Sequence, residues 1–146
     1  NSLQPETLSD LGLVSTLRQE LKRLGQETGL KIDFKADAIR IPRDIETGLY
    51  RIIHEAVYNA RKHSNTKHLR VKIHSEGDQL KVEVKDWGKG FDQRYLDRAR
   101  RRGTGLFSIR KRAELMKGAC EIQSTLGEGT TVHVEVPFSA AEISSG

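Results

Sequence analysis

Three polar side chains share one stripe of a strongly apolar helical segment. Glu55, Asn59 and Lys62 are spaced four and three residues apart, which places them within about 60° of one another on a helix. A carboxylate and an amide offer oxygen ligands to a hard cation, and the ammonium adds positive charge for a phosphate. The helix taken alone favours a plainer interpretation, an ordinary Glu–Lys pair on the surface.

A second candidate is the sequence Asp86-Trp87-Gly88-Lys89-Gly90, which closes a predicted strand. It is either a simple turn or a site in which the carboxylate of Asp86 is held at the strand end while the glycines let the backbone approach a flat ligand. A carboxylate accepts a hydrogen bond from the exocyclic amine of adenine, whereas guanine presents a carbonyl oxygen there. The site interpretation therefore predicts a preference for adenine.

A third candidate is Gly103-Thr104-Gly105, directly before a predicted helix. Backbone N–H groups at a helix start attract phosphate, and the segment 94–102 just before them holds five arginines against one acid. We expect 91–102 to be a mobile lid, because it has few apolar residues and like charges that repel. The glycines form neither a dinucleotide fingerprint, since Ser108 occupies the third glycine position, nor a P-loop.

The elements that must position these groups follow from the spacing of apolar residues. Helical periodicity is strongest in the second helix, where seven apolar residues from Ile45 to Ala60 share one face. Gly118 is expected to end the third helix. The order of the predicted helices and strands along the chain favours an α+β two-layer sandwich, with a mixed, mostly antiparallel sheet and the helices on one face. We predict helices over 13–28, 43–63 and 105–117 and strands over 30–36, 68–75, 79–86, 119–124 and 130–136.

Composition limits the classes of function. With 146 residues the chain is expected to form one domain. A single cysteine, Cys120, allows no internal disulfide and no zinc site, which favours a reducing, cytoplasmic setting. No apolar run approaches the roughly 18 residues of a membrane helix. The net charge of +5 suggests an anionic partner. His68, His74 and His133 alternate within strands and are expected to be sheet residues, too scattered for a metal site.

Taken together, the three segments resemble a known family. YRIIHEAVYNARKHS (50–64), DWGKGFD (86–92) and the stretch 103–137 that begins GTGLFSIRKRAELMKG resemble the N, G1 and G2 boxes of the catalytic, ATP-binding domain of bacterial sensor histidine kinases. Gyrase and MutL share this superfamily. The sequences of the first and third boxes are most similar to those of the nitrate-sensor and lipid-desaturase-sensor branch. The resemblance covers about residues 3–137 and implies a Bergerat-type ATP-binding fold.

The resemblance also implies roles for the residues of the first box. Asn59 would bind the Mg²⁺ that bridges the ATP phosphates. Glu55 would assist at the metal or help to activate the acceptor, so that Asn59 and Glu55 form the expected catalytic and metal-binding pair. Lys62 and His63 would contact phosphate.

The other two boxes are expected to hold the base and to form the lid. Asp86 would bind the adenine amine, Gly88 and Gly90 would shape the base pocket, and Thr130 would reach the base beside Asp86. Trp87 stands where a small or polar residue is common in the family, and we expect it to alter the pocket. The lid hinge and its neighbours complete the expected ATP-binding set: Gly103, Thr104, Gly105 and Leu106.

The implied function is that of a protein-histidine kinase catalytic domain that positions Mg·ATP for transfer of the terminal phosphoryl group to a histidine on a separate dimerisation domain. The family's acceptor histidine is absent from this sequence, so the chain resembles an excised domain: linker remnant 1–12, catalytic domain 13–137 and tail 138–146. A response regulator is the expected further partner. The full-length protein is expected to be a homodimer and this fragment a monomer.

Two alternatives differ in substrate or class. An anti-sigma-factor-type kinase shares all three boxes but phosphorylates serine on a protein partner. The resemblance of the first residues to a dimerisation linker argues against it.

The second alternative is a basic nucleic-acid-binding module, whose binding would depend steeply on salt concentration. Aromatic residues are only 5% of the chain and do not alternate with the arginines as base-stacking platforms would, so no nucleic-acid partner is expected.

Overall fold

The sheet of this protein is mixed and five-stranded, with the order β1-β2-β3-β5-β4. The structure, a computed structural model, describes residues 6–63 and 65–139. Only β1 and β2 are parallel, and the other three pairs are antiparallel. The elements are α1 (Glu6–Thr28), β1 (Lys31–Ala36), α2 (Arg43–His63), β2 (His68–Glu76), β3 (Gln79–Asp86), α3 (Gln93–Arg102), a 3₁₀ turn (Gly105–Phe107), α4 (Ser108–Leu115), β4 (Ala119–Thr125) and β5 (Gly129–Pro137).

One face of the sheet is covered by the helices. Alternate residues of β2 and β3, among them Val71 and Val82, are buried, while the residues between them are partly exposed. Helix α1 packs on β1, α2 on β3 and α4 on β4. This arrangement confirms the predicted α+β sandwich with a mixed, mostly antiparallel sheet.

Helix α2 forms the middle of the helical layer. Six of its seven predicted core residues, from Leu49 to Ala60, are buried, and Ile45 is partly buried against them. The apolar stripe is wide enough to contact both the sheet and the neighbouring helices α1 and α4. The polar stripe beside it is therefore held in a fixed orientation over the sheet.

Helix α1 begins earlier than predicted and is broken at one residue. Gly12 has φ 84° and ψ 174°, outside the helical region, so the continuous helix starts at Leu13, as the sequence indicated. Its first N–H group, on Leu13, donates to Oε2 of Glu46 at 2.7 Å, and this carboxylate acts as an N-cap supplied by α2. Leu8, within the predicted linker, is 1% exposed and belongs to the core; residues 1–5 lie outside the described part of the chain.

Most of the segment 91–102 is the helix α3 rather than a polar loop. Asp92 caps α3 by accepting from the N–H of Tyr95 at 2.8 Å, and Gly103, with φ 65°, ends it in the left-handed conformation. Only Leu96 and Ala99 are buried. Two buried apolar residues are too few to produce a helical periodicity in the sequence, which explains the missed element. Any lid in this region is a capped helix.

The end of the third predicted helix also differs. The 3₁₀ turn and α4 together occupy the predicted range, and the residue with positive φ that ends α4 is Lys117, at 61°. Gly118 has another reason to be glycine, because a Cβ there would collide with the carbonyl oxygen of Glu135 on β5. Beyond β5, the N–H of Phe138 donates to the carbonyl of Asp78 at 2.9 Å, and the tail from 140 onward lies outside the described residues.

No helix in the described part of the chain combines the length and the hydropathy that a bilayer span requires.

The capping bond between α2 and α1 predicts a specific loss of stability. We expect Glu46→Ala to lower the free energy of unfolding by about 1 to 2 kcal/mol, because Leu13 N–H loses its acceptor, and Glu46→Gln, which keeps an acceptor oxygen, to lose less. Urea unfolding measures both. The matched control is Asp44→Ala, which removes an exposed carboxylate from the same helical turn; an equal loss in this control would mean that general charge, and not the cap, is responsible.

Candidate functional site

Residues from three predicted boxes meet between α2 and the sheet. Asn59 from α2, Asp86 from the end of β3 and Thr130 from the start of β5 line one small cavity. Its volume is about 10 Å³, room for about one water molecule. The remaining lining residues are apolar: Ala56, Ala60, Val84, Phe91, Leu106 and Val132. Polar groups thus converge at the bottom of an apolar site.

Asp86 is a buried carboxylate held by backbone donors. Its side chain is on the helix-facing side of the sheet and the residue is 5% exposed. Oδ1 accepts from the N–H of Gly88 at 2.8 Å and from the N–H of Thr130 at 3.3 Å. Backbone donors fix the orientation of the carboxylate toward the cavity.

The loop after Asp86 is fastened to the β4–β5 turn. The N–H of Gly127 donates to the carbonyl of Lys89 at 2.6 Å, and the N–H of Phe91 donates to Oγ of Ser124 at 2.9 Å. Ser124 also shares a hydrogen bond of 2.8 Å with the hydroxyl of Thr130. Sequence reasoning missed Ser124 and Phe91, because nothing in their local pattern indicates a contact between segments so far apart in the chain.

Two glycines allow the loop after Asp86 to pack closely against the β4–β5 turn. Gly90 has φ 66°, and a Cβ on it would collide with the carbonyl of Thr125. Gly129 has φ 102°, and a Cβ on it would collide with the carbonyl of Asp86. The structure therefore explains Gly90 by the close packing of two loops, a different reason from the approach to a flat ligand that the sequence suggested.

Trp87 lies on the opposite face of the sheet from the cavity and is not among the residues that line it. It stacks on His68 with ring centroids 4.3 Å apart, and the cations of Arg70 and Lys85 lie 5.5 and 5.1 Å from its ring. The physical reason is the period of a strand: when Asp86 faces the helices, the next side chain faces away.

The polar stripe of α2 is divided between two environments. Asn59 faces the cavity, and its Nδ2 is buried without a hydrogen-bond partner in the described part of the chain. Glu55 instead contacts α4: Oε1 accepts from Oγ of Ser108 at 2.5 Å, and Oε2 lies 3.5 Å from Nε of Arg112. Both carboxylate oxygens of Glu55 are therefore engaged by protein groups.

Lys62 and His63, at the end of α2, are not among the residues that line the cavity. Lys62 is exposed, with its ammonium 5.7 Å from the ring centroid of Tyr58. His63 is partly exposed, and its ring centroid is 6.3 Å from that of Phe91. His63 thus stands beside a residue that lines the cavity, whereas Lys62 contacts a residue of the groove between α1 and α2.

The predicted hinge lies between α3 and the 3₁₀ turn. Gly103 and Gly105 have φ of 65° and 60°, and Thr104 between them is extended and exposed. Leu106, directly after the hinge, is buried and lines the cavity. Gly88 is half-buried and contributes its N–H to Asp86. Phe91 and Leu106, at the two ends of the α3 segment, are thus the apolar groups that narrow the site.

The other predicted features lie away from this cavity. A hydrogen bond from His68 holds the pKa of Asp33 below its ordinary value, and burial raises the pKa of the Cys120 thiol to about 11. Among residues 6–63 and 65–139, no group of three or more His, Cys, Asp or Glu side chains could hold a metal ion. A larger cavity of about 590 Å³ beside β2 to β5 contains none of the predicted site residues.

Comparisons with known proteins agree with this geometry. The model of the family described as histidine kinase-, DNA gyrase B-, and HSP90-like ATPase matches residues 44–140. The signal transduction histidine-protein kinase/phosphatase DegS of Brevibacillus brevis is 35% identical over 143 residues, which is 96% of this chain and 36% of that protein. The chain thus spans about a third of the length of this relative.

Solved structures share the fold at low sequence identity. The blue-light-activated histidine kinase EL346 of Erythrobacter litoralis superposes with a TM-score of 0.69 at 21% identity, covering 90% of this chain and 43% of that one. The catalytic domain of histidine kinase ThkA, in a nucleotide-free form, gives a TM-score of 0.68 at 16% identity, covering 89% and 92% of the two chains.

The packing of the two loops predicts different costs for two neighbouring glycines. Gly127 and Gly129 both have positive φ, but a Cβ on Gly127 would meet open space. We expect Gly127→Ala to lower the free energy of unfolding by about 1 kcal/mol through backbone strain, and Gly129→Ala to lower it by at least about 2 kcal/mol more, through the collision with Asp86. Equal costs in urea unfolding would contradict the close contact.

Proposed function

Because the chain belongs to the family of histidine kinase-, DNA gyrase B- and HSP90-like ATPases, we propose that it is the catalytic, ATP-binding domain of a sensor histidine kinase. In this role it positions Mg·ATP so that a histidine on a separate dimerisation domain attacks the terminal phosphoryl group. The observation that carries the proposal is the convergence of Asp86, Asn59 and Thr130 on one cavity that Phe91 and Leu106 also line. The reaction is mostly positioning and charge neutralisation.

The base would be recognised by Asp86. Its carboxylate is already fixed by two backbone donors, so it is preorganised to accept from the exocyclic amine of adenine, with Thr130 beside it. Guanine would place a carbonyl oxygen against the carboxylate, leaving two acceptors facing each other. The cavity of about 10 Å³ is far smaller than a purine. Base binding therefore requires Phe91 and Leu106 to move outward.

These two side chains flank the proposed lid and its hinge. Phe91 precedes α3 and Leu106 follows the hinge at 103–105. A rigid movement of α3 about Gly103 and Gly105 would carry the arginines of its last turn and shift Phe91, while Leu106, beyond the hinge, would move only with the 3₁₀ turn. Gly88 and Gly90 would keep the opposite wall fixed, since the loop that contains them is bonded to the β4–β5 turn.

The metal would be held by Asn59. Its Nδ2 is buried without a hydrogen-bond partner among the described residues, which fits a donor that completes its contacts with an acceptor atom of a ligand, and its carbonyl oxygen is of the type that binds Mg²⁺. A bound Mg²⁺ would neutralise phosphate charge. Glu55 is less suited to direct ligation, since both of its oxygens are engaged by α4. His63 beside Phe91 and Thr104 in the hinge would contact the phosphates, and Lys62 would join them by turning away from Tyr58.

The acceptor would come from elsewhere in the full-length protein. His54 is followed by an acid, as in the family's acceptor, but it is exposed, lies against Tyr50 with ring centroids 5.8 Å apart, and lines a groove between α1 and α2 rather than the site. The relative DegS is nearly three times as long as this chain. We therefore propose that a dimerisation domain, preceding a linker that includes residues 1–12, carries the acceptor, with 13–137 as the catalytic domain and 138–146 as a tail.

The finer identity follows the same resemblance. We assign the chain to the nitrate-sensor and desaturase-sensor branch, because of its HEAVYNARKHS segment and its short lid. A response regulator would receive the phosphoryl group from the dimerisation domain. The full-length kinase would be a homodimer joined through that domain, and this chain alone a monomer.

The nucleotide assignment predicts selective binding. In a calorimetric titration with and without magnesium, we expect ATP to bind and GTP to bind at least tenfold more weakly. Asp86→Asn should weaken ATP binding by about 1 to 3 kcal/mol, because one buried acceptor is lost. Asp78→Asn, at the other end of β3, is the matched control. Equal affinity of the wild-type chain for ATP and GTP would rule out the proposed base site.

The phosphoryl-transfer assignment predicts where label appears. With γ-labelled ATP we expect this chain to stay unlabelled, since His54 is fixed on the opposite side of α2 from the cavity. Adding the dimerisation domain of the full-length protein should produce acid-labile, alkali-stable phosphohistidine on that domain. Label on His54 would overturn the assignment of acceptor and site. Acid-stable label on a serine of an added partner protein would instead support the anti-sigma-type kinase.

A further inference from the structure

We infer that Ser108 and Arg112 are positioning residues that hold Glu55 of α2 against the start of α4 and so fix the hinge of the lid beside Asn59. Glu55 would then act on the site through the lid rather than as a metal ligand. The effect of this contact on nucleotide binding rests on the proposed function, whereas its effect on the hinge does not.

The contact between Ser108 and Glu55 is the strongest part of the argument. Oγ of Ser108 lies 2.5 Å from Oε1 of Glu55 and 2.9 Å from the carbonyl oxygen of Gly105. A serine hydroxyl has one proton, so it donates fully to only one of these acceptors. The carboxylate is the stronger acceptor. If α4 moved away from α2, the same hydroxyl could turn to the carbonyl of Gly105 within its own turn.

Arg112 adds a second connection on the same face of α4. It lies one helical turn after Ser108, and its Nε is 3.5 Å from Oε2 of Glu55. The two side chains are 45% and 31% exposed, so solvent screens much of their attraction. The serine bond is therefore the main contribution, and the arginine restricts the second oxygen.

The position of this contact connects the hinge to the site. Glu55 is one helical turn before Asn59 on α2, and Ser108 is three residues after Gly105. Leu106, between the hinge and Ser108, lines the cavity together with Asn59. Holding Ser108 against α2 therefore holds Leu106 in the wall of the site, and releasing it frees the end of the lid that follows the hinge.

The first experiment measures the hydrogen exchange of the hinge amides in the absence of nucleotide. We expect Ser108→Ala to speed hydrogen exchange of the amides 105–109 about tenfold, the effect of losing one hydrogen bond to a charged group. Ser108→Thr keeps a hydroxyl and should restore the wild-type rate. Arg112→Ala should give a smaller increase, and Lys111→Ala, which removes an exposed neighbouring cation, should give none. Wild-type exchange in Ser108→Ala would overturn the contact as a hinge restraint.

The second experiment measures how fast nucleotide dissociates, and it distinguishes a failure of the positioning role from a failure of the proposed function. In chains shown by urea unfolding to be folded, the dissociation rate of Mg·ATP should rise about fivefold or more in Ser108→Ala and stay within about twofold of wild type in Ser108→Thr. Faster exchange with unchanged dissociation would overturn the positioning role. A wild-type chain that does not bind Mg·ATP would overturn the proposed function and the nucleotide part of this inference, while the exchange result still decides the hinge contact.

The role of Glu55 itself is tested by a conservative pair. Glu55→Gln keeps an oxygen that accepts from Ser108, so exchange at 105–109 and the magnesium dependence of ATP binding should stay within about threefold of wild type. Glu55→Ala removes the acceptor and should match Ser108→Ala. Loss of magnesium dependence in Glu55→Gln, with wild-type exchange, would show that Glu55 is a metal ligand and would overturn the inference.

Discussion

The buried carboxylate of Asp86 is the constraint from which the site is built. A carboxyl group that is 5% exposed destabilises the fold unless it is hydrogen-bonded, and two of its donors are the backbone N–H groups of Gly88, in the loop after β3, and of Thr130, in β5. They can reach one oxygen only if the loop after β3 and the start of β5 lie in direct contact. That contact leaves no space for a Cβ at Gly90 or Gly129. One polar requirement thus determines the course of two loops.

The helical layer supplies the other half of the site by a different kind of force. Burial of the apolar stripe of α2 fixes its rotation over the sheet, and this rotation directs Asn59 into the cavity and Glu55 toward α4. Non-directional packing therefore sets the orientation of two directional groups. The result is a floor, made of the sheet and α2, beneath the segment between Phe91 and Leu106.

The periodicity of apolar residues in the sequence was sufficient to predict the two layers of the fold and part of the candidate site. The stripe of α2 and the alternation of the strands predicted the sandwich, and their register brings Asn59, Asp86 and Thr130 together. Helix α3 was missed because it buries only two apolar residues. The side of the sheet on which Trp87 lies could have been predicted, since strand alternation alone determines it. The partner of Glu55 could not, because 53 residues separate it from Ser108 and no local pattern reports contacts at that distance.

The break at Gly12 has a mechanical consequence. A continuous α-helix transmits twist along its axis, because each turn is bonded to the next. At Gly12 the backbone leaves the helical conformation, and the first N–H group beyond it is bonded to Glu46 of the domain instead of to a preceding turn. Residues 6–11 are therefore joined to the rest of α1 through a single non-helical residue and are held on the domain by side-chain packing, since Leu8 belongs to the core. A load on this segment reaches α2 through that packing and through the bond from Leu13 to Glu46, and not through a continuous ladder of helical hydrogen bonds.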